Sequence, residues 1–430
     1  RNLGSSASRF SLKVRAMLPL LALAMTPLPC VGYTFITLGD WGGALPGAYQ
    51  PSTPYAQNVK RVATQMAKTA ESSEVKFIVN TGDNFYWCGI ENTSDFQVQK
   101  DWVEPYSASP LQIPWYSVLG NHEYGYNVSA QIDLGNMYKN WVMDARYFTK
   151  RVQMAGNNYV SMIFLDTSPC VQEYRADSKS GWDPCGEYPT CSLSGGSDEF
   201  EGKCTFHENI LSQDCGAQLA WLKKSLAAVP ADDWLIVVGH HPAQEMNVED
   251  LTSAMQERGF DLYLNGHVHT LSQYTVDGKG AYVTSGAGSL VMSRDQFPGS
   301  PAQCRTYNMS IGSDVGPVEN GHQHASVFTE RTSGFTLHTF SSDFSSLTTD
   351  FIDVGGEKLH SFTVKKGQGP VPPSPGPGPS PGPSPSSGSC KEYGCGKYVR
   401  SHSCQCNSYC KHHRDCCSDY EAVCGGEVVV

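Results

Sequence analysis

Short apolar runs and amphipathic stretches alternate along most of this chain. Residues 33–38, 76–80, 115–119, 162–165, 234–238, 262–265 and 281–284 are runs of about four to six mostly apolar residues, several of them apolar on both faces. That pattern predicts strands buried in a sheet covered on both sides. Between them, 55–70, 217–228 and 248–258 repeat their apolar residues at helical spacing. Strands alternating with helices predict an α/β domain, in which ligands gather beyond the carboxyl ends of the strands.

Five short motifs sit at those strand ends, each led by a glycine. They are Gly39-Asp40-Trp41-Gly42, Gly82-Asp83-Asn84-Phe85-Tyr86, Gly120-Asn121-His122-Glu123, Gly239-His240-His241-Pro242 and Gly266-His267-Val268-His269. Asp40 and Asp83 offer hard carboxylate oxygens, Asn121 a neutral amide oxygen, and His240, His267 and His269 imidazole nitrogens. One carboxylate can bridge two ions at the separation of roughly 3.5–4 Å that two-metal hydrolases require. A Gly-Asp pair alone is commonly a turn with a side-chain cap, and a lone His-x-His is commonly surface decoration. Turn chemistry has no reason to place Asp, Asn and His at five successive strand ends.

The 430 residues suffice for one large domain and a smaller one. With 42 acidic against 31 basic residues, a formal charge of -11 and no basic tract, a nucleic-acid or anionic-membrane partner is not expected. Sixteen cysteines point to an oxidising compartment. Lys13 and Arg15 precede an apolar stretch, 16–28, that is too short to span a bilayer and suits a signal-peptide core. Asn92, Asn127 and Asn308 each open an acceptor sequon for N-glycosylation. Together these features place the protein outside the cell or in the secretory lumen, with no membrane span.

The expected organisation is a signal region at 1–32, a catalytic domain at 33–366, a Pro/Gly/Ser-rich spacer at 367–389, a cysteine-rich module at 390–424 and a tail at 425–430. The spacer has no means of forming a core. The module holds Cys390, Cys395, Cys404, Cys406, Cys410, Cys416, Cys417 and Cys424. So short a chain must be stapled by disulfides, and the absence of paired CxxC spacing argues against zinc. Eight cysteines leave about 105 connectivities open. A Gly-, Ser- and Cys-rich loop, 168–215, interrupts the strand–helix pattern and is expected over the mouth of the site.

The five motifs, with 118–132, 218–228 and Ser285-Gly286-Ala287-Gly288, resemble the metallophosphoesterase superfamily, and specifically the small, mammalian-type purple (tartrate-resistant) acid phosphatases. The resemblance implies a four-layer αββα sandwich of two facing sheets. It implies that Asp40, Asp83, Tyr86 and His269 hold Fe(III), and that Asp83, Asn121, His240 and His267 hold a divalent iron, zinc or manganese. His122 would face the substrate phosphate, a metal-bound hydroxide would attack, and a phosphomonoester would be hydrolysed with an acidic optimum. Three positions depart from the family pattern: Glu123 in place of Asp, His241 in place of an aromatic, and no second outer-sphere histidine within 243–251. Glu245 and His207 are candidates to replace that histidine. The C-terminal cysteine spacing resembles the somatomedin B domain, which implies docking to an extracellular protein. A phosphodiesterase acting on nucleotides or lipid head groups, and a catalytically silent binding protein, are the competing readings.

Overall fold

A computed structural model describes residues 32–42, 54–86, 88–176, 205–289, 321–367 and 369–371, and in the C-terminal module 389–393, 395, 404, 406, 410, 416, 417 and 419–424. The leader, the middle of the 168–215 loop, most of the spacer and the Asn308 sequon lie outside the described residues. The chain divides into two compact units, Arg1–Pro372 and Pro373–Val430.

The strands run in chain order as β1 (Thr34–Leu38), β2 (Phe77–Asn80), β3 (Trp115–Ser117), β4 (Trp141–Val142), β5 (Phe148–Gln153), β6 (Tyr159–Phe164), β7 (Trp234–Val238) and β8 (Leu262–Asn265). They continue as β9 (Leu271–Val276), β10 (Lys279–Ser285), β11 (His324–Glu330), β12 (Gly334–Phe340), β13 (Ser346–Asp353), β14 (Lys358–Lys365) and β15 (Gly369–Val371). Among the described residues they form two mixed sheets. The first has the order β15-β14-β13-β12-β1-β2-β3-β4 and the second β11-β9-β10-β8-β7-β6-β5. β1, β2 and β3 are parallel neighbours in one sheet, and β6, β7 and β8 in the other.

Alternation along the second sheet's strands shows how the layers stack. Trp234, Ile236 and Val238 of β7 belong to the main core with Phe35, Ile36 and Ile78 of the first sheet, whereas Leu235 and Val237 join a separate cluster with the helices. β6 repeats this, with Val160, Met162 and Phe164 on one side and Ile163 on the other. That second cluster is closed by α4 (Cys215–Ala228) and α5 (Leu251–Arg258), through Leu222, Leu226, Leu251 and Met255. Asp214 and Asp250 cap these helices by accepting the Ala217 and Ser253 N–H groups. On the first sheet, α1 (Pro54–Ser72) brings Val59, Val62, Ala63 and Met66 to the core at helical spacing. The outcome is the α/β arrangement of two mixed sheets with helices. α2 (Val128–Met137) and α3 (Phe206–Leu211) pack around the turn at His122–Gly125.

The eight module cysteines pair as Cys390–Cys406, Cys395–Cys424, Cys404–Cys417 and Cys410–Cys416. Asp419 accepts the Cys390 N–H (2.8 Å) and the Ser389 hydroxyl. In the larger unit Cys170 and Cys215 close the base of the 168–215 loop. Their separation of 45 residues restricts the unfolded chain considerably. Replacing both cysteines by serine is expected to lower stability by about 2–4 kcal/mol, read as a shifted urea midpoint of the larger unit.

Candidate metal centre

Each candidate ligand stands just beyond a strand that points its carboxyl end toward the same place. Asp40 follows β1, Asp83 follows β2, Asn121 follows β3, His240 follows β7, and His267 with His269 follows β8. Because the two sheets face each other, their loops meet and bond across the gap. Gly39 N–H donates to the Ser285 carbonyl (2.8 Å), the His240 ring to the Thr81 carbonyl (2.7 Å) and His267 N–H to the Asp40 carboxylate (2.9 Å). Asp40 N–H to the Gly82 carbonyl and Gly266 N–H to the His240 carbonyl (2.9 Å each) tie neighbouring loops within a sheet.

The backbone is bent hard to do this. Asp40, Asp83 and His267 have φ of 56°, 51° and 67°, the left-handed region that non-glycine residues seldom occupy. The leading glycines have a steric reason. A Cβ on Gly120 would lie 2.1 Å from Asp83 Oδ1, and one on Gly82 would lie 2.7 Å from His240 Nδ1. A side chain at either position would push a candidate ligand out of place.

Two donor groups share Asp83. In the first, the Tyr86 hydroxyl lies 3.4 Å from Asp40 Oδ1, 3.3 Å from Asp83 Oδ2 and 3.1 Å from His269 Nε2. In the second, Asn121 Oδ1 lies 2.9 Å from His240 Nε2 and 3.0 Å from His267 Nδ1, while His240 Nε2 is 3.3 Å from Asp83 Oδ2. All seven residues are at most 9% exposed. Among the described residues neither Asp40 nor Asp83 is paired with a lysine or arginine; their charged neighbours are imidazoles. Buried carboxylates so placed call for a cation. The donor set of carboxylate, phenol, amide and imidazole fits hard and borderline ions.

Hydrogen bonds set the protonation pattern. His240 Nδ1–H donates to the Thr81 carbonyl (2.7 Å), which leaves Nε2 to face the shared carboxylate. Burial pulls the His240 pKa down, but Asp83 outweighs it and the value rises to about 9. Burial raises the Asp83 carboxyl, yet His240, His122 and His267 outweigh that and hold it well below the usual carboxylate range. His122 donates its backbone N–H to Asp83 Oδ1 (3.2 Å), and its ring stands edge-on to Tyr86 with Nε2 3.8 Å from Asp83 Oδ2. His122 and His269, 8% and 9% exposed, are the members of the cluster that solvent reaches most, whereas Asp40 and His240 are fully buried.

The departures from the family pattern acquire physical roles. Glu123 accepts N–H bonds from Gly120, Asp83, Asn84 and Phe85 at 2.6–3.1 Å, so its longer side chain ties the β2 loop to the β3 loop. Burial, then the Asp83 charge, push its pKa up to about 7 against those donors. His241 is fully buried, with Nδ1 2.8 Å from Thr167 Oγ1 and Nε2 3.0 Å from the Tyr174 hydroxyl. Burial, with His267 and His240 nearby, holds its pKa well below the usual imidazole value. Both nitrogens are occupied, which marks a neutral structural histidine. Glu245 Oε2 lies 3.0 Å from His267 Nε2, and His207 lies on α3 beside Phe206. Asn92 and Asn127 are exposed, as acceptor asparagines must be.

Motif reading missed the supports. Thr167 accepts the N–H groups of His240 (3.2 Å) and His241 (3.1 Å). Asn80 accepts from Trp41 Nε1 (2.9 Å) and donates to Asn84 Oδ1 (2.6 Å), and Asn84 donates to Gln131 (2.9 Å). A buried asparagine ending an otherwise apolar strand was the available signal for that network.

Comparison with known proteins fixes the class. Residues 33–271 match the model of the calcineurin-like phosphoesterase family, and the chain belongs to that family of metal-dependent hydrolases. Residues 388–427 match the somatomedin B domain. Among curated relatives, mouse (Mus musculus) tartrate-resistant acid phosphatase type 5 is 32% identical over 289 residues, 64% of this chain and 77% of that protein. The human (Homo sapiens) counterpart is 30% identical over 64% of this chain and 77% of its own length. Purple acid phosphatase 17 of Arabidopsis thaliana is 33% identical over 62% and 71% of the two chains. A solved structure described as GAP50, the anchor in the inner membrane complex of Plasmodium, shares the fold with a TM-score of 0.51 at 20% identity, covering 79% of this chain and 89% of that one.

Asp166 offers a pH test of the buried frame. Its carboxylate accepts from Tyr124 and lies 3.6 Å from Arg146, and Oδ1 has no hydrogen-bond partner among the described residues. Burial, opposed by Arg146 and Tyr124, raises its pKa to about 6. Folding therefore favours its protonated form. This contribution is fully present below about pH 4 and is lost as the pH rises through about 6. Asp166→Asn is expected to flatten the stability–pH curve across that window, measured by urea unfolding at several pH values.

Proposed function

We propose that this protein is a secreted acid phosphatase that converts a phosphomonoester and water into an alcohol and orthophosphate. The observation that carries the reading is the pair of donor groups sharing Asp83, one of which contains Tyr86. Asp40, Asp83, Tyr86 and His269 would hold Fe(III), since two carboxylates and a phenol are hard donors suited to a trivalent ion. Asp83, Asn121, His240 and His267, with a single carboxylate between them, would hold divalent iron, zinc or manganese. When bound, the two cations supply Lewis acidity that polarises the phosphoryl group and makes water acidic enough to attack at low pH.

The chain's own residues do the rest. Asn121 adds a ligand without adding charge, which keeps the pair attractive to an anionic substrate. His122, at the solvent-reaching edge and 3.8 Å from Asp83, would hold the substrate phosphate and deliver a proton to the leaving alkoxide oxygen. Attraction for the anion comes from this local charge, because the chain as a whole carries a formal charge of -11. The somatomedin B module would dock an extracellular protein, with the Pro/Gly/Ser-rich spacer as its tether. Asn92, Asn127 and Asn308 would carry N-glycans.

The test is the pH–rate profile on a phosphomonoester, run beside a phosphodiester. An acidic optimum with preference for the monoester is expected; preference for the diester, or no turnover in the fully metallated protein, contradicts the reading. His122→Ala is expected to lower kcat by on the order of 10²-fold or more, with metal content unchanged. Tyr86→Phe is expected to remove the visible phenolate-to-iron absorption while the protein still folds, and a retained colour would overturn the Fe(III) assignment.

A further inference from the structure

His267 presents its two ring nitrogens to different partners. Nδ1 lies 3.0 Å from Asn121 Oδ1, inside the second donor group, and Nε2 lies 3.0 Å from Glu245 Oε2. The Glu245 contact is a close charge contact rather than an in-line hydrogen bond, and a carboxylate charge so near one ring nitrogen favours the proton on that nitrogen. The opposite nitrogen is left with its lone pair directed at a ligand.

Glu245 is held where it can do this. It ends a single helical turn, Ala243–Glu245, in which its N–H donates to the Pro242 carbonyl (3.0 Å). Ala243 N–H donates to the Tyr274 hydroxyl (3.3 Å), and Met246 is fully buried against Tyr263. The next two residues, Asn247 and Val248, donate their N–H groups to the carbonyl of Cys170, which is cross-linked to α4. The backbone that carries Glu245 is therefore anchored on both sides, and its side chain is 26% exposed.

We propose that Glu245 is a positioning residue: it holds His267 as the Nε2–H tautomer and so sets cation affinity at the Asp83–Asn121–His240–His267 group. This rests on reading that group as a cation site. Glu245 occupies the segment in which the family's second outer-sphere histidine is missing, and it acts on a ligand, not on the substrate.

The test uses the full chain carrying Fe(III) and freed of its divalent ion, titrated with Zn²⁺ in competition with a chromophoric chelator. Glu245→Ala is expected to weaken Zn²⁺ binding about 10–100-fold, the usual effect of losing such a partner. Glu245→Gln, which keeps the shape and removes the charge, should show a loss in the same direction. The visible band of the iron site should be unchanged in both. Zn²⁺ affinity equal to wild type in Glu245→Ala, with or without a fall in kcat, overturns the proposal. If that variant does not fold, the isosteric Glu245→Gln decides, and unchanged affinity there overturns it. A wild-type chain that takes up no Zn²⁺ beside its iron defeats the underlying two-cation reading instead, so the two failures are distinguishable.

Discussion

Two carboxylates, Asp40 and Asp83, are buried side by side between facing sheets, among imidazole and phenol side chains. Burying such charges in a low-dielectric interior is costly unless positive charge is supplied. The surrounding structure follows from that constraint. Three residues of the cluster accept left-handed backbone angles, glycines clear room beside Asp83 and His240, and Glu123 gathers four N–H groups to brace the loops. Strain of this kind, of order 1–3 kcal/mol per residue, persists only where the rest of the fold over-determines it. Here the over-determination comes from the bonds that cross between the sheets.

The parallel heart of the fold was legible because its strands are apolar on both faces. β7 and β8 begin and end where the hydrophobic runs do, and α1, α4 and α5 follow the helical periodicity to within three residues at either end. The outer antiparallel strands were not legible. β5 (Phe-Thr-Lys-Arg-Val-Gln) is exposed or half-exposed at every position but the first, and β13 (Ser-Leu-Thr-Thr-Asp-Phe-Ile-Asp) is threonine- and aspartate-rich. A search for continuous apolar runs passes over both, although their β-branched residues suit a strand. α2 was not predicted either; it carries Gly135 inside its span, which weakens a helical pattern.

At the site, the candidate ligands were legible because each is chemically conspicuous and each follows a buried strand. Their supports were not. Thr167 acts through its hydroxyl on two backbone N–H groups, and Thr81 acts through its carbonyl alone. Neither role leaves a residue-type signature, because both are defined by contacts across more than seventy positions of chain. The module's pairing was likewise beyond the sequence, since spacing alone does not select among the connectivities. The two units also draw on different physics: the larger is ordered around two large apolar clusters, the smaller around its own cross-links.

If Asp83 is the shared ligand of two cations, its loss must disturb both. The most direct measurement is the metal content per chain of the purified protein and of Asp83→Ala, by elemental analysis. Two ions in the wild type, and a severe loss of both in the variant, is the result that the shared carboxylate requires. A variant that keeps both ions, or a wild type that binds only one, would contradict it.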